Sequence, residues 1–210
     1  MTNNKISITF LGDSIMGYKK DLNTISWLKF LKIKLNIRYK KKLKIYSSYV
    51  IGLNSRGLLN LKSDYFLKVK NKNILIIQIG INDSWHYRSF QGIPEVSLLN
   101  FKNNLNELVI KSKVFGFKEI VFINYHKLLN NRMEINNKTL NYNLNKYNRV
   151  LQLFCKKKKL KLINIRNKKF RPKIHCLPMP DGIHLNTNGA RLYSKIIFNS
   201  IVKLLNEKKI

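Results

Sequence analysis

The sequence predicts an α/β fold, a three-layer α/β/α sandwich built on a five-stranded parallel sheet. Two observations carry this. Five short apolar runs, rich in β-branched and aromatic residues and bounded by polar residues or Gly, have the length and composition of strands. Stretches with helical periodicity lie between and after them. Strands that alternate with helices pair in parallel through right-handed crossovers, which places helices on both faces of the sheet. At 210 residues the chain suits a single domain spanning 1–210.

The strands are expected at residues 6–11, 45–51, 74–79, 119–124 and 160–165. The third, Ile74-Leu75-Ile76-Ile77-Gln78-Ile79, is almost continuously apolar, as a strand buried on both faces should be, and is assigned to the sheet centre. Helical periodicity is clearest over 95–114, where Pro94 suits the start, over 140–157, and over 188–206. In the last of these Leu192, Ile196, Ile197, Ser200, Ile201 and Leu204 mark one face. Two long polar connections, 124–137 and 167–186, are candidates for functional loops.

Composition removes several function classes. The formal charge of +31 would by itself suggest a nucleic-acid or anionic partner. Yet Lys outnumbers Arg 33 to 8, there are 28 Asn and a single Ala, and the Lys residues are spread along the whole chain. That pattern is a codon bias toward AT-rich triplets, and no nucleic-acid partner is expected. The run Lys156 to Lys159 with Lys161 falls at a helix end, where cations complement the helix dipole. Cys155 lies in an apolar helical stretch and is expected in the core. Cys176, beside His175, has no context that marks a nucleophile. The four histidines lack ligand spacing, so no metal or other cofactor is expected. No apolar run approaches the length of a membrane span, and the first run lacks the features of a signal peptide, so a cytoplasmic protein is expected.

Three short motifs concentrate the chemistry: Gly12-Asp13-Ser14 after the first strand, Gly80-Ile81-Asn82-Asp83 after the third, and Asp181-Gly182-Ile183-His184 before the last helix. Each alone has a bland explanation as a turn or a helix cap. Together, in this order and at the carboxyl edge of the predicted sheet, they resemble the SGNH hydrolases, also called the GDSL esterase/lipase family. The resemblance runs from residue 5 to about residue 200. It implies a flavodoxin-like sheet, Ser14 as nucleophile, Asp181 and His184 as the rest of a triad, and Asn82 as an oxyanion donor. The family completes the oxyanion hole with a glycine of a second block. Here that block reads Gly52-Leu53-Asn54-Ser55-Arg56-Gly57, and Ser55 stands where the glycine is expected.

The chemistry asks for the same residue types. A serine hydroxyl needs a base with a pKa near neutrality, which an imidazole supplies. A carboxylate three residues before the histidine can reach back to Nδ1 and leave Nε2 for the serine. The tetrahedral intermediate needs preorganised donors, expected from the Ser14 N–H, the Asn82 amide and the Ser55 N–H. Asp13 and Asp83 are assigned structural roles as acceptors of local N–H bonds. Trp85, His86, Tyr87 and Arg88 are placed either along the pocket or in an exposed loop.

The expected reaction is hydrolysis of a short-chain acyl ester, such as an acetyl group on a small molecule or a carbohydrate, because no apolar stretch is left over for an acyl tunnel. Two alternatives stand beside it. An acyltransferase would use the same site on a carbohydrate acceptor, and a non-catalytic basic domain would bind anions or nucleic acid without needing Ser14. The α/β-hydrolase pattern G-x-S-x-G does not fit, since Gly17 comes one residue too late.

Overall fold

The strand singled out by its apolar run does occupy the middle of the sheet. The computed structural model describes residues 6–17, 25–40, 42–61, 69, 72–86, 94–130, 133–134, 138–166 and 169–207. Five strands, β1 (Ile6–Gly12), β2 (Leu43–Tyr49), β3 (Ile74–Gln78), β4 (Glu119–Ile123) and β7 (Lys161–Ile163), form one sheet in the order β2-β1-β3-β4-β7. All four pairings are parallel. Two short strands, β5 (Met133–Glu134) and β6 (Lys138–Thr139), make a separate antiparallel hairpin. The helices are α1 (Ser14–Gly17), α2 (Trp27–Tyr39), α3 (Ser55–Leu59), α4 (Leu98–Val114), α5 (Leu140–Lys157), α6 (Pro172–His175) and α7 (Thr187–Glu207).

Every residue of β3 is buried, and its side chains divide by alternation. Ile74 and Ile76 join a core with Trp27, Leu31 and Leu35 of α2 and Tyr193, Ile197 and Ile201 of α7. Leu75 and Ile77 join a second core with Leu58 of α3, Phe101 and Leu105 of α4, and Leu151 and Phe154 of α5. These two cores are the two interfaces of the predicted three layers. The strand order is that of a doubly wound sheet whose direction of growth reverses between β1 and β3, and in such sheets ligands sit outside the carboxyl ends of the strands at that reversal. Ser14 follows β1 and Asn82 follows β3, so both lie at the reversal.

Some boundaries differ from those expected. The second strand runs two residues earlier than 45–51. Val50 and Ile51 are exposed, because Gly52 turns the chain at φ +73° immediately after them. The fourth helix begins at Leu98 instead of near Pro94, since the Ser97 side chain accepts the Asn100 N–H and caps it there. The connection over 124–137 is not simply a polar loop: it carries β5, and its first half is buried at Tyr125, His126 and Leu128. Helix α2 has no counterpart in the periodicity reading. Its exposed Ile33 and Ile37 put apolar residues on the face opposite Leu31 and Leu35 and blur the amphipathic stripe. Cys155 is in the core, and the lysines from Lys156 sit at the end of α5.

Candidate active site

Ser14 is placed by the way β1 ends. Asp13 makes the turn: its carboxyl accepts the Ile15 N–H at 3.0 Å, its carbonyl accepts the Met16 N–H at 3.1 Å, and the Tyr125 hydroxyl donates to it from across the sheet. This local bond to Ile15 is the one assigned to Asp13 from the sequence. Ser14 is therefore the first residue of α1, where a backbone N–H has no acceptor within the helix. The residue is largely buried, at 7% exposed.

His184 reaches Ser14 from the loop ahead of α7. Its Nε2 lies 2.9 Å from Ser14 Oγ, and its Nδ1 lies 2.8 Å from Asp181 Oδ2. A carboxylate can only accept, so Nδ1 carries the proton and Nε2 is the acceptor that faces the serine hydroxyl. Asp181 Oδ1 accepts the Ile183 and His184 N–H groups at 2.8 and 2.7 Å. Burial pushes Asp181 up, but the His184 N–H, the His184 ring and the Ile183 N–H outweigh it and hold the carboxyl below its ordinary value. The carboxylate thus stays charged when the imidazole needs it.

This loop is held at several points. Gly182 adopts φ +58°, and a Cβ there would stand 2.6 Å from the Asn130 backbone nitrogen. The close approach exists because the Leu129 and Asn130 N–H groups both donate to the Gly182 carbonyl, at 2.8 and 2.9 Å. The Asn130 side chain adds a bond to the Asp181 carbonyl at 3.0 Å. From below, His126 Nε2 lies 3.0 Å from the Ile183 carbonyl, and its Nδ1 meets the Tyr193 hydroxyl. Burial drives the His126 pKa down to about 4, so the ring is neutral and donates through Nε2 while accepting through Nδ1.

Asn82 opens a 3₁₀ turn, Asn82–Ser84. Gly80 precedes it at φ +133°, a conformation a side chain would oppose. The Asn82 amide nitrogen donates to the Leu53 carbonyl at 2.9 Å and lies 3.4 Å from Asp13 Oδ2. One N–H is thus firmly fixed, and the other points toward the Asp13-Ser14 turn. Ser55 departs from its expected role. Its backbone N–H donates to both Asp83 oxygens, at 3.0 and 3.1 Å, its hydroxyl donates to Asp83 as well, and the residue is fully buried. The N–H is committed to a carboxylate and is not presented to a ligand. Asp83 accordingly accepts from a residue 28 positions away as well as from its own backbone N–H. Burial pushes Asp83 up to about 6 against the pull of the Ser55 donors. Burial likewise pushes Asp13 up to about 7, with Asp83 adding to the rise and Tyr125 and Ile15 opposing it.

The structure therefore brings Ser14, Asp181 and His184 into one hydrogen-bonded chain, sets Asn82 beside the Asp13-Ser14 turn, and makes Ser55 a strut for Asp83. Trp85 is half-buried and packs against the core, while His86 meets Asn143 at 3.2 Å. Tyr87 and Arg88 lie outside the described residues. Tyr125, His126 and Asn130 escaped the sequence reading. Their signal was position: they directly follow β4 at the sheet edge that carries Ser14. Among the described residues no group of three His, Cys, Asp or Glu is placed to hold a metal, and no helix is long and apolar enough to cross a membrane.

A family model, the GDSL-like lipase/acylhydrolase, matches residues 8–197. The chain belongs to this family. It is thereby a carboxylic ester hydrolase of the GDSL type. Among solved structures it is similar to an acetylxylan esterase from Geobacillus stearothermophilus, with a TM-score of 0.72 at 16% identity over 93% of this chain and 94% of that one. It is also similar to an alpha/beta hydrolase enzyme from the metagenome of Lake Arreo, Spain, with a TM-score of 0.73 at 17% identity over 92% and 94% of the two chains. Variants of the Geobacillus enzyme described as catalytic mutants, in which a serine, an aspartate or a histidine is replaced by alanine, give similar values. Curated proteins give no match to this chain.

Proposed function

We propose that this GDSL hydrolase cleaves short-chain acyl esters, with acetyl groups on a carbohydrate as the favoured substrate class, through Ser14, His184 and Asp181. The carrying observation is the continuous hydrogen-bonded chain from Ser14 Oγ through both ring nitrogens of His184 to Asp181 Oδ2. His184 Nε2 takes the proton as Ser14 Oγ attacks the ester carbonyl, and Asp181 stabilises the resulting imidazolium. The oxyanion is met by the Ser14 N–H and by the Asn82 N–H that otherwise makes a long, 3.4 Å contact to Asp13 Oδ2, a contact the oxyanion would replace. Collapse of the tetrahedral intermediate passes the proton from His184 to the departing alcohol and leaves an acyl-Ser14. Water, deprotonated by His184, then releases the acid and restores the serine. Two donors serve here, since Ser55 gives its N–H to Asp83.

The acyl preference rests on the absence of any leftover apolar segment in the sequence and on the likeness to the Geobacillus acetylxylan esterase. A series of aryl esters from acetate to decanoate tests it. Acetate or propionate should give the highest kcat/KM, and a maximum at decanoate overturns the short-chain reading. In the same assay Asn82→Ala should lower kcat by on the order of 10²–10³ with little change in KM. An unchanged kcat would remove Asn82 from the oxyanion hole.

A further inference from the structure

Arginine is scarce in this chain, 8 residues against 33 lysines, so the composition that favours lysine gives an arginine no help. Two of the eight, Arg149 on α5 and Arg166 just after β7, line one cavity of about 470 Å³ together with Asn145, Gln152, Asn124 and Asn164. Among the described residues no lysine and no acid lines it. It opens at the carboxyl ends of β4 and β7, because Asn124 and Asn164 are the residues that directly follow those strands.

The amides of the floor are already used. Asn124 Nδ2 donates to Asn164 Oδ1 at 2.8 Å, and Asn124 Oδ1 accepts the Ile165 N–H at 2.8 Å. Arg166 is half-buried and donates one guanidinium N–H to Asn145 Oδ1. Neither arginine has a carboxylate partner among the described residues. A half-buried guanidinium without an anion carries a desolvation cost, and here burial does pull the Arg166 pKa down. The cavity therefore presents Gln152, Arg149 and the remaining Arg166 donors, with two planar forks and no negative charge to satisfy them. Guanidinium forks match the oxygens of carboxylates and phosphates in a way that lysine does not.

We propose that this cavity is a binding site for a ligand bearing an oxyanion, a carboxylate or a phosphate, clamped between Arg149 and Arg166. The site shares no residue with the triad and stands or falls independently of the ester chemistry. Thermal-shift titrations of the full chain test it, with sodium phosphate in one arm and sodium glucuronate in the other, each compared with sodium chloride at equal ionic strength. At least one anion should raise the melting temperature saturably. Arg149→Gln and Arg166→Gln should each weaken that binding by about tenfold or more, the loss expected for one charge-assisted contact. Lys102→Gln, which removes the same charge from an exposed helix position elsewhere, should leave it unchanged. Response to phosphate alone assigns a phosphoryl ligand, and response to glucuronate alone assigns a carboxylate. Three outcomes overturn the proposal: no shift beyond that of chloride, equal binding in both arginine variants, or equal weakening by Lys102→Gln. Arg149 is exposed, so its variant decides the matter even if Arg166→Gln does not fold.

Discussion

His126 is fully buried, yet its ring touches the carbonyl one residue before His184. It joins the chain of contacts that sets where Nε2 of His184 stands, since Ile183 and Gly182 lie between Asp181 and His184 and both carbonyls are held. Replacing it with Phe keeps much of the volume and leaves the Ile183 carbonyl and the Tyr193 hydroxyl without a partner. We expect His126→Phe to cost about 1–3 kcal/mol of stability. At a temperature where the variant remains folded, kcat should fall while KM for a short aryl ester holds. A variant with wild-type kcat would show that the Asp181-His184 loop keeps its geometry without this residue. Ser14, Asp181 and His184 were picked out in the sequence by three short motifs whose joint order resembles a known family, although Ser14 lies 170 residues from His184. His126 was not, because its role depends on a fold contact 57 residues away that no local spacing records.

Helix α5 shows how an element can pass for composition bias. Its Asn148 brackets Tyr125, accepting the Tyr125 N–H at 3.0 Å and donating to the Tyr125 carbonyl at 3.1 Å. Seven residues earlier on the same face, Asn141 does the same for Leu128, at 2.8 and 3.0 Å. The two amides stand in for a strand neighbour and carry the order of β4 into the segment that supports the active-site loop. In a chain with 28 asparagines these two look like any others. Their burial and their paired bonds to one backbone residue each separate them from the exposed ones. Asn148→Ala leaves two buried backbone groups unpaired and should cost about 1–3 kcal/mol in urea unfolding. A loss no larger than that of an exposed asparagine such as Asn103 would contradict the bracket. At this scale the strands were legible from their apolar runs and α7 from its stripe. Helix α2 was not, because its apolar residues wrap around the helix.

Across the whole molecule, parallel pairing and helices on both faces were expected from the alternation of elements, a flavodoxin-like sheet from the family resemblance, and the site's edge from the carboxyl ends of the strands. What the sequence could not show was the buried charge behind the site. Asp13 is pushed up to about 7 from an ordinary value of 3.8, so the native state holds its proton over a range in which the unfolded chain has lost it. Its contribution to stability is full below about 3.8 and is lost as pH rises through about 7. His126, held down to about 4, acts in the opposite direction between about 4 and its ordinary 6.5, and Asp83, pushed up to about 6, acts in the same direction as Asp13, so the wild-type profile alone mixes the three. The difference between wild type and Asp13→Asn isolates the aspartate. Wild type should lose stability relative to that variant from about pH 4 to about pH 7, and a flat or rising difference would contradict the buried, raised carboxyl.

The proposed chemistry rests on Ser14 as a nucleophile driven by His184. A fluorophosphonate probe followed by peptide mass spectrometry tests it most directly. One covalent adduct per chain is expected, located on Ser14, absent in Ser14→Ala and slowed by on the order of 10³-fold or more in His184→Ala. Labelling at another residue, or labelling of Ser14 that is indifferent to His184, would contradict it.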